Sequence, residues 1–341
     1  MSGALTVIAG SLKNAAVSAA GGTITVNYLI VAGGGAGGAR GSPNPTASGY
    51  AYGAGGGAGG VLHGSVTLIR GVTYTANVGA GGAVTASTTL GPQRGGNGGP
   101  STFTGSSAAN TINFVAIGGG GGGGASSTGS GSIGGTGGAG GGGAVWRPTS
   151  STGIIGGYVA GPGNTTQGRR GGDASSSGPP AYNGSGGGGG GGPPTSASEG
   201  GAGVRQAPPS PNAGISNGGA GWISNIRGTA PTTPRPYTST QTGETRVGGG
   251  GQGGGFGTGP SVHPSSTFGG GIVNFPVTSQ RAGWPLQGGG GASGTLGSQG
   301  GGSGIVIISA LEAAVSGPVH VGSDGAGNTY YMFPTSGTIQ Y

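Results

Sequence analysis

Gly118 to Gly124 and Gly186 to Gly192 are unbroken runs of seven glycines, and how they are read decides the fold. Shorter glycine-rich runs recur at 33–38, 53–60, 95–99, 134–143, 248–255, 288–291 and 300–304. Glycine loses more backbone freedom on folding than any other residue, about 0.5–1 kcal/mol more than alanine. Clustered glycine is therefore either flexible linker or part of a lattice that side chains cannot enter. Collagen is excluded, because the 99 glycines keep no sustained period of three. The runs alternate with strand-like sequence, which favours the lattice. Extended threefold helices of the polyproline II type, about 3.1 Å per residue, could pack with backbones touching. A net hydrogen bond contributes only about 0.5–1.5 kcal/mol, so many runs must pack together to offset the glycine entropy.

Composition narrows the class. A chain of 341 residues allows one large domain or two small ones. Hydrophobic residues make up 31%, which predicts too little material for a conventional core of this size. Only 5% of residues are charged, unlike ordinary charged disorder. There is no cysteine, hence no disulfide or thiolate metal site. The net charge of +7 comes from scattered arginines and Lys13. Arg94 and the Arg169-Arg170 pair precede Gly-Gly, yet form no basic stripe, and nucleic-acid binding is not expected. Residues 1–20 lack a basic start and are interrupted by Lys13, so no signal peptide is expected. No apolar stretch approaches the roughly 20 residues of a membrane span.

In order along the chain, Thr23 to Ala32 reads as a strand with Ile24, Val26, Tyr28 and Ile30 on one face. Both faces turn apolar at Leu29–Val31, where it enters a glycine run. Residues 39–52 read as a loop. Val61–Ile69 and Val72–Val78 read as strands of a hairpin turning at Arg70-Gly71. Asn110–Ile117 is a further strand, and Gly304–Ser309 a buried one. Leu29–Val31 and Ile305–Ile308 are expected in one small sheet, since each needs a buried partner. Leu311–Val315 is a weak helix candidate. Gly22-Thr-Ile-Thr-Val-Asn-Tyr28 is echoed by Gly337-Thr-Ile-Gln-Tyr341, as a duplicated strand unit or by coincidence. The fold class expected is mostly β and irregular: packed polyglycine II helices, a polyglycine sandwich, with a small sheet from the flanking strands. Residues 1–22 would be an N-terminal attachment or strand segment, 23–309 the glycine-rich domain and 310–341 a C-terminal strand segment.

Catalytic signals are weak. Gly214-Ile-Ser216-Asn-Gly218 matches a nucleophile elbow, but prolines precede it and glycines follow, where a strand and a helix are required. No Gly-Lys pair exists for a phosphate loop. His63, His263 and His320 are isolated, without metal-ligand spacing. Neither enzyme activity, a cofactor nor a metal is expected.

Four segments carry a resemblance: Tyr28-Leu-Ile-Val-Ala-Gly-Gly-Gly35, Tyr74-Thr-Ala-Asn-Val-Gly-Ala-Gly-Gly82, Gly95-Gly-Asn-Gly-Gly-Pro-Ser-Thr-Phe103 and Gly301-Gly-Ser-Gly-Ile-Val-Ile-Ile308. In this order, across residues 23–309, the chain resembles the glycine-rich domain of bacteriophage tail-fibre proteins. Ser336–Tyr341 is similar to a segment adjoining such domains. The runs also resemble the polyglycine-sandwich adhesins of long tail fibres, whose loops recognise the host surface; no segment matches those adhesins' fibre-attachment domain. The resemblance implies a virion tail protein made in the host cytoplasm. Its partners would be other tail proteins and a host polysaccharide or outer-membrane component, without membrane insertion. It would act as a homotrimer or as a monomer on a trimeric fibre.

Side-chain variety concentrates in 144–185, 222–247 and 258–287. Trp146, Trp222 and Trp284 flank glycine runs, as caps on the lattice or as sugar-stacking platforms. Tyr158, Tyr182 and Tyr237 lie mid-loop and suit recognition. Arg147, Arg169, Arg170, Arg227 and Arg235 share these loops; guanidinium groups suit carboxylate or phosphate, although solvated loop charge is the plainer reading. Tyr158, Arg169, Arg170, Tyr182 and Tyr237 are the receptor-binding candidates. A structural virion component, such as a head decoration or fibre adaptor, is the alternative; an ice-binding protein is a third reading.

Overall fold

The computed structural model describes residues 22–39, 49–85, 92–107, 110–126, 131–148, 156–157, 159–164, 166–173, 187–190, 218–227, 245–253, 270–271, 282–283, 285–294, 297–317, 320–324 and 327–341. Its strands are β1 (Thr23–Val31), β2 (Gly49–Tyr52), β3 (Val61–Ile69), β4 (Thr73–Asn77), β5 (Ser101–Ser106), β6 (Thr111–Ala116), β7 (Val145–Pro148), β8 (Gly156–Gly157), β9 (Trp222–Ser224), β10 (Thr245–Val247), β11 (Ser293–Gly294), β12 (Gly297–Ser298), β13 (Ile305–Ala310), β14 (His320–Ser323), β15 (Thr329–Phe333) and β16 (Gly337–Gln340). No helix occurs among the described residues. The candidate at Leu311–Val315 consists of bends and irregular chain instead, with Leu311 and Val315 exposed. Its backbone is committed elsewhere, with Ala314 N donating to the Tyr331 hydroxyl and Val315 N to Gln340 O, and five residues are too few to hold a helix against these contacts.

Two antiparallel sheets organise the strands, ordered β14-β15-β13-β1-β3 and β16-β4-β5-β6. β1 shows why. Thr23, Thr25 and Asn27 are exposed while Ile24 and Val26 are buried, and the alternation ends at Leu29-Ile30-Val31, where all three are buried. Ile24, Val26 and Ile30 face a core shared with Leu68, Tyr74, Phe103, Ile112, Val306, Ile308, Tyr331, Phe333 and Ile339 from both sheets. Leu29 and Val31 face a second cluster with Val61, Val247, Ile305, Ile307, Tyr330 and Met332. β1 pairs with β13, placing Leu29 opposite Ile307 and Val31 opposite Ile305, as expected from two apolar runs that each need a partner. The apolar residues are few but concentrated in these strands, so a conventional sandwich core forms after all. Burying each large side chain contributes about 1.5–3 kcal/mol.

β3 and β4 are not a hairpin. β3 pairs with β1, and β4 pairs with β5 and β16 in the other sheet. At Arg70-Gly71 the chain crosses between sheets, so that Leu68 and Tyr74 enter the same core. Gly71 adopts φ 79°, a conformation that favours glycine. The Tyr74 hydroxyl accepts a hydrogen bond from Ile69 N at 2.8 Å across the turn. The two echoed segments also separate: β1 is central in one sheet and β16 an edge of the other, with Ile24 and Ile339 in the shared core. The strands after Ala310 take part in both sheets.

Glycine-rich runs continue from these strands. β1, β4 and β6 lead into them; β3, β5 and β13 emerge from them. The junctions are tied together: Ala32 N donates to Gly60 O, Gly33 N to Gly99 O, Gly60 N to Ile117 O and Gly304 N to Gly79 O. Fully buried Ser101 accepts from Gly79 N and donates to Val31 O.

Beyond the junctions, bonding follows a period of three. Gly33, Ala36 and Ala39 donate to Gly99, Gly96 and Gln93; Gly34 and Gly37 donate to Gly302 and Gln299; Gly35 and Gly38 donate to Gly57 and Ala54. The carbonyls of Gly33, Gly34, Gly35 and Ala36 accept from Gly119, Gly82, Gly291 and Gly122. In the run 118–124, Gly119 and Gly122 donate to Gly33 and Ala36, and Gly120 and Gly123 to Ala139 and Gly142. In its third direction Gly121 and Gly124 donate to the side chains of Asn97 and Ser132. A Cβ placed on Gly34, Gly35 or Gly121 would come closer than 3.0 Å to a neighbouring backbone carbonyl.

Candidate functional site

The glycine runs expose backbone but few side chains, so a binding site must lie where runs end or where the sheets supply side chains. At the end far from the two large sheets, Gly38 N donates to Ala54 O, Ala39 N to Gln93 O and Gly143 N to Gly172 O, and Ser293 Oγ donates to Gly53 O. Here β2 pairs with β7, and both strands lie inside stretches, 39–52 and 144–185, that the sequence reads only as loops. Trp146 in β7 packs on Ala125 and Ala144, each of which follows a glycine run.

Tyr158, Tyr182, Tyr237 and Trp284 lie outside the described residues. Their flanks separate them. Val159, next to Tyr158, accepts from Gly134 N, near the far end. Asp173, before the segment that holds Tyr182, accepts from Ala160 N at 3.0 Å and pairs with Arg170 Nη2 at 2.6 Å. The flanks of Tyr158 and Tyr182 are thereby tied together. Arg170 is exposed in this ion pair, whereas the Arg169 backbone donates to Gly189 O and accepts from Gly140 N. The segment that holds Tyr237 instead leaves and re-enters through paired β9 and β10, on the sheet side. Trp222 opens β9, packs against the second cluster and stacks on His63 with centroids 4.3 Å apart. Arg227 is not a solvated loop charge: it is 2% exposed, with its guanidinium 5.5 Å from the Tyr330 ring centroid.

Open grooves lie among the described residues, two of them lined as follows. One, of about 550 Å³, runs along glycine backbone between Asn97, Pro100, Ile117, Thr136, Pro162 and Asn164. The other, of about 310 Å³, lies beside β3 and is lined by Asn27, His63, Ser65, Ser224, Asn225 and Ile226. Burial lowers the His63 pKa below its ordinary value. Among the described residues no three His, Cys, Asp or Glu side chains form a metal-binding group. No helix among them is long and apolar enough to cross a membrane. The nucleophile-elbow serine, Ser216, and His263 lie outside the described residues.

Sequence reasoning missed the polar side chains that complete the glycine lattice. Gln167, 8% exposed, accepts from Ile117 N and donates to Val115 O, while its own carbonyl accepts from Val61 N. Asn97, Ser101, Ser132 and Ser293 serve likewise at run ends and edges. The only sequence signal was a lone amide or hydroxyl within a glycine-rich stretch. No known family model matches the chain, and no curated protein matches it in sequence.

Proposed function

We propose that this protein is a virion tail-fibre or fibre-tip component that binds a host-surface glycan through segments carried on a polyglycine scaffold. In this reading the glycine runs are polyglycine II helices. The hydrogen-bond period of three, with one neighbouring segment met at every third residue of 33–39, carries that assignment. A backbone lattice of this kind gives stiffness without side-chain specificity, so recognition falls to the segments at its ends. The polar layout supports the reading: the sheets occupy one end, and the flanks of Tyr158 and Tyr182 the other. Rigid tyrosines give contact area at low entropic cost, and several copies on one virion would convert weak contacts into firm adsorption. The test is adsorption of particles carrying Tyr158→Ala, Tyr182→Ala and Tyr237→Ala together. Slower adsorption by a folded variant is expected; adsorption at the wild-type rate would favour a structural virion role. Immunogold labelling should decorate the tail and not the head.

A further inference from the structure

β3 is an edge strand of the five-stranded sheet. Ala32 N donates to Gly60 O and Arg70 N to Gly22 O, so the even-numbered positions of β3 bond to β1. The backbone groups of its odd-numbered residues therefore face outward. Three are occupied: Val61 N donates to Gln167 O, Asn110 Nδ2 donates to Thr67 O, and Ile69 N donates to the Tyr74 hydroxyl. Between them, the outward N–H and C=O groups of His63 and Ser65 meet no partner among the described residues. The window spans about 7 Å at about 3.4 Å per residue. Gln167 and Asn110 fill the ladder positions on either side, so an added strand is blocked, as edge protection requires. What fits is a compact ligand.

The groove beside the window defines its chemistry. Its lining contains amides and hydroxyls, Asn27, Ser65, Ser224 and Asn225, with the apolar Ile226, and no Asp, Glu, Lys or Arg. Ser65 Oγ donates to Asn27 Oδ1 at 2.6 Å, which orients that amide and leaves its Nδ2 hydrogens without a partner among the described residues. His63 is held by its stack on Trp222, and partial burial lowers its pKa, favouring the neutral imidazole. Uncharged donors and acceptors beside an apolar surface match a pyranose, which presents hydroxyls at its rim and C–H groups on its face. We propose that this groove binds one or two rings of a neutral polysaccharide, held by the His63 and Ser65 backbone and by the Asn27, Ser224 and Asn225 side chains. The inference rests on the glycan-binding reading for the class of partner, but on different residues.

The test uses the full chain and an array of neutral and uronic-acid-containing bacterial oligosaccharides, with maltotriose, cellotriose and mannotriose titrated by amide NMR. At least one neutral glycan should bind and shift the His63, Ser65 and Asn225 amides. Asn225→Ala should weaken that binding at least tenfold with an unchanged melting temperature, and Ser224→Ala should weaken it to a lesser degree. The inference is overturned if no neutral glycan moves these amides, if acidic glycans are preferred, or if both variants bind like wild type. A groove that binds no sugar in a chain that still adsorbs to cells overturns this inference alone. A groove that binds sugar in a chain that never adsorbs leaves it standing and overturns the host-receptor reading.

Discussion

The sheet end and the glycine end of this molecule solve the same problem by opposite means. In the sandwich, side chains such as Tyr74, Phe103, Ile307 and Phe333 are removed from water and the backbone is paired in ladders. In the lattice there are almost no side chains to bury, and successive residues bond to different neighbours instead. The first arrangement tolerates a lost methyl group by partial relaxation. The second has backbone where a side chain would go, so an added carbon meets a rigid carbonyl. Sensitivity to substitution should therefore invert between the ends: deletion is harmful in one and addition in the other.

The largest effect should come from adding side chains to the lattice. Gly121→Val and Gly189→Val place carbon against the Gly95 and Ala220 carbonyls and should cost more than about 4 kcal/mol, leaving no soluble folded protein. Either variant melting like wild type would break the comparison. Deletion in the sandwich is next: Ile307→Ala should cost about 2–5 kcal/mol and lower the melting temperature. Gln167→Ala should follow at about 1–3 kcal/mol, because it strips partners from Ile117 N and Val115 O. The yield of soluble protein reads the glycine variants, and urea unfolding of purified Ile307→Ala and Gln167→Ala ranks the other two.

The legible and illegible parts of the sequence divide along the same boundary. Alternation in Thr23–Val31 and the apolar run Ile305–Ile308 announce strands because side chains there report burial, and both strands lie where expected. The segments 61–69 and 72–78 read as a hairpin because Arg70-Gly71 marks a turn without saying which sheet each arm joins. In the glycine runs the partners are set by backbone geometry, and no side chain encodes them. Nothing in the sequence indicates that Gly35 bonds to Gly57 and Gly291. At the candidate sites, aromatic and arginine content marks the segments of greatest side-chain variety. The burial of Arg227 and the His63–Trp222 stack depend on contacts between elements distant in sequence.

Smaller effects sharpen the contrast. Ala36 is fully buried inside a glycine run, so some positions of the lattice accept a methyl group. Ala36→Gly should cost about 1 kcal/mol, whereas Gly35→Ala, one residue away, should prevent folding; equal behaviour of the pair would contradict position-specific packing. The smallest effect is protonic. The folded pKa of His63 lies below its ordinary value of 6.5, so the unfolded chain binds protons more readily there. Stability is then fully present above pH 6.5 and declines slightly as pH falls towards the folded value. Melting curves between pH 7.5 and 5 should show this small decline, and His63→Gln should remove it.

Amide hydrogen exchange tests the ordered glycine lattice most directly, because it reads backbone hydrogen bonds where there are no side chains to probe. Peptides covering Gly33–Ala39 and Gly118–Gly124 should exchange as slowly as those covering β1 and β13, opening only with global unfolding. Exchange in these runs at the rate of an unstructured chain, while β1 and β13 remain protected, would contradict the lattice.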